Sequence, residues 1–530
     1  MVIPRLVVAA PASGAGKTTV ATGLIAALTR AGRSVAPFKV GPDYIDPGYH
    51  ALAAGRPGRN LDPVLVGEHR IRPLFAHGAS GCDVAVIEGV LGLFDGRAGT
   101  PGFGSTAHVA ALLEAPVVLT VDSRGQGRSL AALLHGFRGY QPDVRIAGVV
   151  LNRVGSDRHE AVLREACAEV GLPVLGALRR SDVVALPSRH LGLVPAVEHG
   201  SPAVGAVDAM ADLVAWSVDL VAVLALAHEA GPLTDAPWDP AAEMRVASRD
   251  ETSAMVRRTL AMVVDSHDGV STKGKSTVVM RVDSHDEAAL AMRADSTTRA
   301  SSTTRVGSDK RAASETRVGF GMRRGSHRAS VVAVAGGAAF TFGYAEYADL
   351  LAAGGAEIAV VDPLRDEKLP ADTTALVLPG GFPEEHAAEL SANQSLRAAV
   401  AEFVRSGGAV HAECGGLLYL ARELDGLPMC GVLDASAAMS GSLTLGYRDA
   451  VAATDSVLYQ AGARITGHEF HRTRVTPGSG GQAAWHWRDA AGKPVTEGFV
   501  IGRVHASYLH THPAGSPDQV KRLVSAGGPA

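Results

Sequence analysis

The sequence predicts an α/β protein made of two parallel-sheet domains, and three observations predict it. Short apolar runs alternate with helical stretches through roughly the first 230 residues. The same rhythm resumes near residue 330, and the segment between has a different composition altogether. Strands that alternate with helices pair in parallel, because a helical crossover carries the chain back across the sheet.

In the first part the runs Val84–Ile87, Val117–Val121 and Ile146–Leu151 are apolar at consecutive positions, as strands covered on both faces must be. The runs Val331–Ala335, Ile358–Val361, Ala375–Leu378 and Ala409–Ala412 repeat the pattern in the second part. A chain of 530 residues exceeds one ordinary core, and we expect domains at 1–235 and 330–520 joined by a segment at 236–329. Between residues 245 and 328, Ser, Thr, Arg and Asp dominate, and 16 Lys and Arg stand against 10 Asp and Glu. Val-Asp-Ser-His-Asp occurs there at 264–268 and again at 282–286. So few large apolar side chains do not offset the entropy of ordering, and the stretch reads as a disordered linker, not as an RNA-binding arm or a metal site.

Hydrophobic residues make up 46% of the chain and charged residues 20%, with a formal net charge of −4. That balance gives no reason to expect nucleic acid as a partner. The apolar run Leu6–Ala10 is shorter than a secretory core, and no run reaches the roughly 20 apolar residues that span a bilayer. The expected compartment is the cytoplasm, with no membrane partner; a homo-oligomer is left open. Cys82, Cys167, Cys414 and Cys430 are too few and too scattered for a disulfide framework.

The run Pro11-Ala12-Ser13-Gly14-Ala15-Gly16-Lys17-Thr18-Thr19 follows the first strand and precedes a helical stretch, which is the context of a phosphate loop. Around Ser13, Gly14 and Gly16 the backbone N–H groups can turn toward phosphate oxygens. Lys17 can neutralise β/γ charge, and Thr18, followed by Thr19, offers a hydroxyl to a divalent cation. Pro11 stands where the usual pattern has Gly and removes one donor from the loop entry. The expected ligands are a nucleotide and Mg²⁺. After the second strand, in the run Lys39 to His50, Asp43 faces the nucleotide side. After another strand, Glu88 can complete a Mg²⁺ shell with Thr18, and Asp95 can touch metal or substrate.

The runs Lys39 to His50, Asn60 to Pro63, Ile87 to Gly96, Val121 to Ser129 and Gly148 to Val154 resemble those of the cobyrinic acid a,c-diamide synthase family, over most of residues 3–230. The resemblance implies a dethiobiotin-synthetase-like P-loop domain that phosphorylates corrin carboxylates with ATP. It also places Asp43, Tyr44, Ile45, Glu88 and Asp95 on family positions for substrate binding and catalysis.

In the second part, Val410-His411-Ala412-Glu413-Cys414-Gly415-Gly416 reads as strand, sharp turn and helix start, the logic of a nucleophile elbow. Such an elbow exposes the Cys414 thiol at a helix N-terminus, where the local field should lower its pKa, and lets the Gly415 N–H donate to an oxyanion. Gly381, in the pair after the strand Leu376–Leu378, can supply a second donor. Cys82, Cys167 and Cys430 lack the elbow and read as structural. A thiol needs a base, and spacing leaves His505, His510 and His512 open.

Residues 330–513 resemble the glutamine amidotransferase domain of cobyrinic acid synthases, a class I amidotransferase-like α/β domain. Glu413 to Gly416, Gly467 to His471 and Ser507 to His510 carry the likeness, and by it His510 is the base. Tyr347 stands where the family run usually has Asn. His468, Glu469 and His471 lack the four-residue His spacing of a helical zinc motif and read as a substrate-contacting or interdomain loop.

The two sites complement each other. Glutamine hydrolysis makes ammonia, and ATP turns a carboxylate into an acyl phosphate that ammonia can attack. The expectation is an ATP-dependent, glutamine-hydrolysing amidation of the a and c carboxylates of cobyrinate or hydrogenobyrinate, between which the sequence does not choose. Cobyric acid synthase is the nearest rival, disfavoured by Gly41-Pro42-Asp43-Tyr44, and a non-catalytic P-loop switch or partitioning protein is the rival of another class.

Overall fold

In the computed structural model, which describes residues 3–180, 188–189, 192–193, 195–245 and 330–527, seven parallel strands form the first sheet. They are β1 (Arg5–Ala9), β2 (Val35–Val40), β3 (Arg59–Leu61), β4 (Val84–Glu88), β5 (Val117–Asp122), β6 (Ile146–Val154) and β7 (Val174–Arg179). Their order, β3-β2-β4-β1-β5-β6-β7, puts β1 at the centre. Strands β1, β2 and β4 are buried along their whole length, which explains the consecutive apolar runs. The loops at the carboxyl ends of β1, β2 and β4 therefore meet, the usual place for a ligand in an open α/β sheet.

The second sheet has six strands, in the order Glu357–Val361, Val331–Ala335, Thr373–Leu378, Ala409–Glu413, Val504–Ser507 and Phe499–Ile501. Only the last pairs antiparallel. The two predicted α/β domains are thus both present: a phosphate-loop domain and an amidotransferase-like domain.

A third sheet was not anticipated. Its centre is a long antiparallel pair, Ser436–Ala452 with Arg464–Thr476, flanked by His510–Thr511 on one side and joined by Trp485–Arg488. The run Gly467 to His471, expected in a loop, lies inside this strand pair. Its residues are mostly polar and give no apolar alternation, so the period-two signal is hidden.

Residues 1–250 and 329–530 pack as one compact unit. One hydrophobic cluster contains Phe38, Tyr44 and Phe75 from the first half and Phe342, Leu350 and Leu523 from the second. Arg59 reaches Glu346 at 2.6 Å and Asp349 at 2.9 Å, and the Tyr447 hydroxyl donates to Asp62 at 2.9 Å. Trp238 is buried and donates its backbone N–H to Pro73 O at 2.9 Å, so the chain just past residue 235 still packs on the first half. The low-complexity stretch from 246 to 329, with its repeated Asp-Ser-His-Asp, lies outside the described residues.

Candidate active site

Beyond β1 the chain turns into helix α1 (Lys17–Arg30). Gly14 and Gly16 take φ of 76° and 99°, a region that costs any other residue, and a Cβ on Gly16 would collide with Asn152 Nδ2. From the end of β6, Asn152 donates to Ala15 O and Arg153 to Gly14 O, each at 2.9 Å, which braces the loop from outside. The helix has no side-chain cap and no acidic residue in its first turn. Its first N–H groups and the positive end of its dipole are left for an anion. Lys17 bends back to Leu91 O at 2.5 Å, and burial, then the charge of Lys39, lowers its pKa.

Under this loop sits a buried charge cluster of which the sequence had singled out only two members. Glu88 Oε1 accepts from the Thr18 hydroxyl at 2.8 Å and from Lys39 Nζ at 3.0 Å, while Oε2 lies 2.7 Å from His50 Nε2. Lys39 also reaches Asp46 at 2.7 Å. Burial works against the Lys39 charge, but Asp46 and Glu88 outweigh it and raise its pKa. Burial first, then Asp43 and Glu88, pushes Asp46 up to about 7. Burial would also raise Glu88, yet Lys39 and His50 hold it well below the usual carboxylate range. A lysine inside the otherwise apolar strand Val35–Val40 was the sequence signal for this cluster, since an unpaired charge is not buried there.

Asp43 Oδ1 accepts from the N–H groups of Ile45 at 2.8 Å and Asp46 at 3.0 Å, and Asp95 Oδ2 accepts from Gly92 N at 2.9 Å. These carboxylates thus shape their own loops as well as facing the site. Ser13, Gly14, Gly16, Lys17, Thr18, Thr19, Asp43, Tyr44, Ile45, Glu88 and Asp95 all line one cavity of about 1600 Å³. Pockets for a single small ligand run to roughly 300–1,000 Å³, so this one has room for a nucleotide and a second large molecule. Its far wall comes from the third sheet, through Leu445, Tyr447, Val451, Phe470 and Trp487.

At the end of the strand Ala409–Glu413, Cys414 adopts φ 47° and ψ −99°. A non-glycine residue held at positive φ between strand and helix is the strained geometry of a nucleophile elbow. The turn is tight because a Cβ on Gly416 would collide with Leu378 O. The Cys414 N–H is tied to Ser507 O at 2.7 Å. One expectation is corrected here: the thiol pKa is raised, not lowered. Burial is the main cause and the Glu384 carboxylate adds to it, outweighing the Gly415 N–H that favours the anion. The helix Gly415–Leu420 is only six residues long and offers a weak field against that.

Gly381 N lies 3.0 Å from where a Cβ on Gly415 would stand, so the two expected oxyanion donors are neighbours. His510 pairs with His468 across the strands, and a Cβ on Gly380 would collide with its Cε1. His512 instead lies tilted against Tyr344, 4.1 Å between ring centroids, and turns toward Glu346, while His505 faces Ser456 and Trp485. Of the three histidines left open by spacing, His510 is the one beside the glycine pair.

Glu413 was missed. Its Oε2 lies 3.6 Å from His510 Nδ1, and its Oε1 accepts from Thr511 N at 3.0 Å and from the Thr511 hydroxyl at 2.9 Å. His411 Nε2 is 3.2 Å away, and the Tyr347 hydroxyl meets His411 Nδ1 at 2.9 Å. The unexpected Tyr347 thus ends a chain that leads to His510. Burial would raise the Glu413 pKa, but His411 and His510 hold it well below the usual range. A carboxylate at the end of a buried strand, next to the nucleophile, was the available signal.

His468 and Phe470 face the large cavity, while Glu469 pairs with Arg448 at 2.6 Å and His471 stacks on Tyr508 at 3.7 Å. Phe470 O lies 4.0 Å from the Cys414 sulfur. Tyr44 stacks on Phe342 at 5.0 Å, touches His510 at 5.1 Å between ring centroids, and lines the cavity. The thiol and the phosphate-loop cavity are therefore separated by single residues.

A phosphate-loop domain and a cysteine-elbow domain that share such a wall define a two-site, nucleotide-using amidotransferase as the class of protein. Residues 6–194 match the CobQ/CobB/MinD/ParA nucleotide binding domain, and residues 331–517 match the CobB/CobQ-like glutamine amidotransferase domain. The chain is 54% identical to the hydrogenobyrinate a,c-diamide synthase of Streptomyces coelicolor, over 98% of this chain and 97% of that one. It is 46% identical to the protein of the same name from Thermobifida fusca, over 99% and 97%. With the cobyrinate a,c-diamide synthase of Synechococcus sp. it shares 36% identity, over 98% of each chain. The chain belongs to the a,c-diamide synthase family. Among the described residues no helix is long and apolar enough to cross a membrane.

Proposed function

We propose that the protein amidates the a and c side-chain carboxylates of a corrin-type macrocycle, using ATP to activate the acceptor and glutamine as the nitrogen source. The observation that carries this reading is the single cavity lined both by the phosphate loop and by Phe470, whose carbonyl lies against the Cys414 sulfur. The relatives that are 46% and 54% identical are named for hydrogenobyrinate and the one that is 36% identical for cobyrinate, which favours the metal-free ring.

In the glutaminase half, the Cys414 sulfur attacks the glutamine carboxamide carbon while its proton passes to His510. The oxyanion is met by the Gly381 and Gly415 N–H groups. His510 returns the proton to the leaving nitrogen, ammonia departs, and water later hydrolyses the γ-glutamyl thioester to glutamate. Burial disfavours the free thiolate, so the nucleophile depends on a neighbouring base to take its proton.

In the synthetase half, an acceptor carboxylate oxygen attacks the γ-phosphorus of ATP and ADP leaves. The resulting acyl phosphate takes ammonia at its carbonyl carbon, losing phosphate and one proton as the amide forms. Two such rounds consume two ATP and two glutamine. Lys17 and the first N–H groups of α1 hold the β/γ-phosphates. The Thr18 hydroxyl and Glu88, 2.8 Å apart, are the oxygen donors that fit Mg²⁺, whose chemistry is to neutralise phosphate charge.

Cys414→Ser tests the division of labour. Glutamine-dependent amidation should nearly vanish, because a hydroxyl is far less acidic than a thiol, while ammonium salt at mildly alkaline pH should restore product. Undiminished use of glutamine would remove Cys414 as nucleophile. Failure of ammonia to rescue a folded variant that binds ATP would contradict two separable sites.

A further inference from the structure

The phosphate-loop side of the large cavity is rich in carboxylates: Asp43, Asp46, Glu88 and Asp95 all line it. The cations of that side are committed, Lys39 to Asp46 and Glu88, Arg97 to Asp449 and Arg153 to Asp122, which leaves Lys17 for the phosphates and the one group being activated. The remaining acidic side chains of the acceptor need a different wall. The opposite wall, from the third sheet, has the complementary chemistry.

Leu445 is 56% exposed on the long strand pair and opens into the cavity, with Tyr447 and Phe470 beside it. A flat apolar strip of this kind suits the face of a conjugated macrocycle. Arg464 and Arg488 stand on the same wall and are exposed. Among the described residues Arg488 donates only to Gly492 O, at 2.8 Å, and Arg464 has no ion-pair partner. Of the acids on this wall, Asp449 pairs with Arg97 at 2.5 Å, while Asp489, next to Arg488 in sequence, turns one oxygen to the N–H groups of Ala491 and Lys493 at 2.9 Å and makes no ion pair among the described residues. Two guanidinium groups therefore remain to grip carboxylates, which their planar fork binds in pairs of hydrogen bonds.

We propose that the third sheet of the amidotransferase half is the acceptor platform of the synthetase reaction, with Arg464 and Arg488 clamping carboxylates that are not being amidated and Leu445 lying against the ring. The glutaminase half then not only delivers ammonia but also orients the acceptor, so that the acid next to be activated points at the phosphate loop. This rests on the corrin reading given above and adds to it the residues that hold the ring.

The test is an equilibrium titration of hydrogenobyrinate, followed by its visible absorbance, together with steady-state kinetics, for the wild type, Arg464→Ala, Arg488→Ala and Arg464→Lys. Each alanine variant should weaken macrocycle binding and raise its KM by about tenfold, the worth of one charged hydrogen bond. The KM for ATP should not follow. Lysine at 464 should restore part of the loss, since it keeps the charge but not the fork. Wild-type affinity and KM for the macrocycle in both alanine variants would overturn the platform while leaving the corrin reading standing. A wild type that binds no hydrogenobyrinate would overturn the corrin reading and the platform with it.

Discussion

Cys414 sits buried where the strand Ala409–Glu413 turns into the helix Gly415–Leu420. The Glu-Cys-Gly-Gly run at a strand end marks an elbow, and the positive φ at Cys414 is that elbow in coordinates. What the run does not show is burial, and burial reverses the expected direction of the thiol pKa. The same blindness hid Glu413, whose meaning comes only when the chain between residues 414 and 507 returns to lay His510 beside it. In the proposed mechanism Glu413, whose Oε2 lies 3.6 Å from His510 Nδ1, would act by holding that histidine and not by touching glutamine. Glu413→Gln should therefore cut the glutaminase kcat by about tenfold or more while ammonia-driven amidation is kept, as expected when an orienting carboxylate is neutralised. An unchanged glutaminase rate, measured as glutamate release, would remove Glu413 from the account.

At the scale of elements, the strands of the two parallel sheets were legible because burial on both faces writes consecutive apolar residues into the chain. The antiparallel pair Ser436–Ala452 and Arg464–Thr476 was not. Much of its surface faces a cavity or solvent, so polar and apolar residues alternate irregularly, and at His468 to His471 the three-residue His spacing reads as a loop where the chain forms a strand. An element-scale prediction concerns Glu497, which accepts from the Ser507 hydroxyl at 2.6 Å and the Tyr508 N–H at 2.8 Å. Burial pushes its pKa up to about 8 from an ordinary 4.5. The folded state then binds more protons than the unfolded one between those two values, so this group's contribution to stability falls as pH rises through that window. Glu497→Gln should flatten the dependence of the melting temperature on pH across it. A variant whose melting temperature falls with pH as steeply as the parent's would show that Glu497 is not the group responsible.

For the whole molecule, the halves are joined by Arg59, held by Glu346 and Asp349 where Glu346 is almost fully buried. Removing one partner strands a buried charge, and Arg59→Ala should cost about 3–5 kcal/mol of stability by chemical denaturation. A loss no larger than an exposed ion pair, under about 1 kcal/mol, would show the halves are held by their shared apolar cluster instead. That two domains exist was visible in the chain; that Tyr44, Phe470 and His468 form a common wall between them was not, since it depends on how the two sheets pack. In the proposed reaction, ammonia made at Cys414 is consumed in the phosphate-loop cavity, on a corrin acid. The most direct measurement is the mass of the product formed from hydrogenobyrinate, ATP and amide-¹⁵N glutamine in the presence of unlabelled ammonium at neutral pH. A diamide in which both new nitrogens are ¹⁵N is the expected result; a product carrying unlabelled nitrogen, or no amide at all, would contradict that coupling.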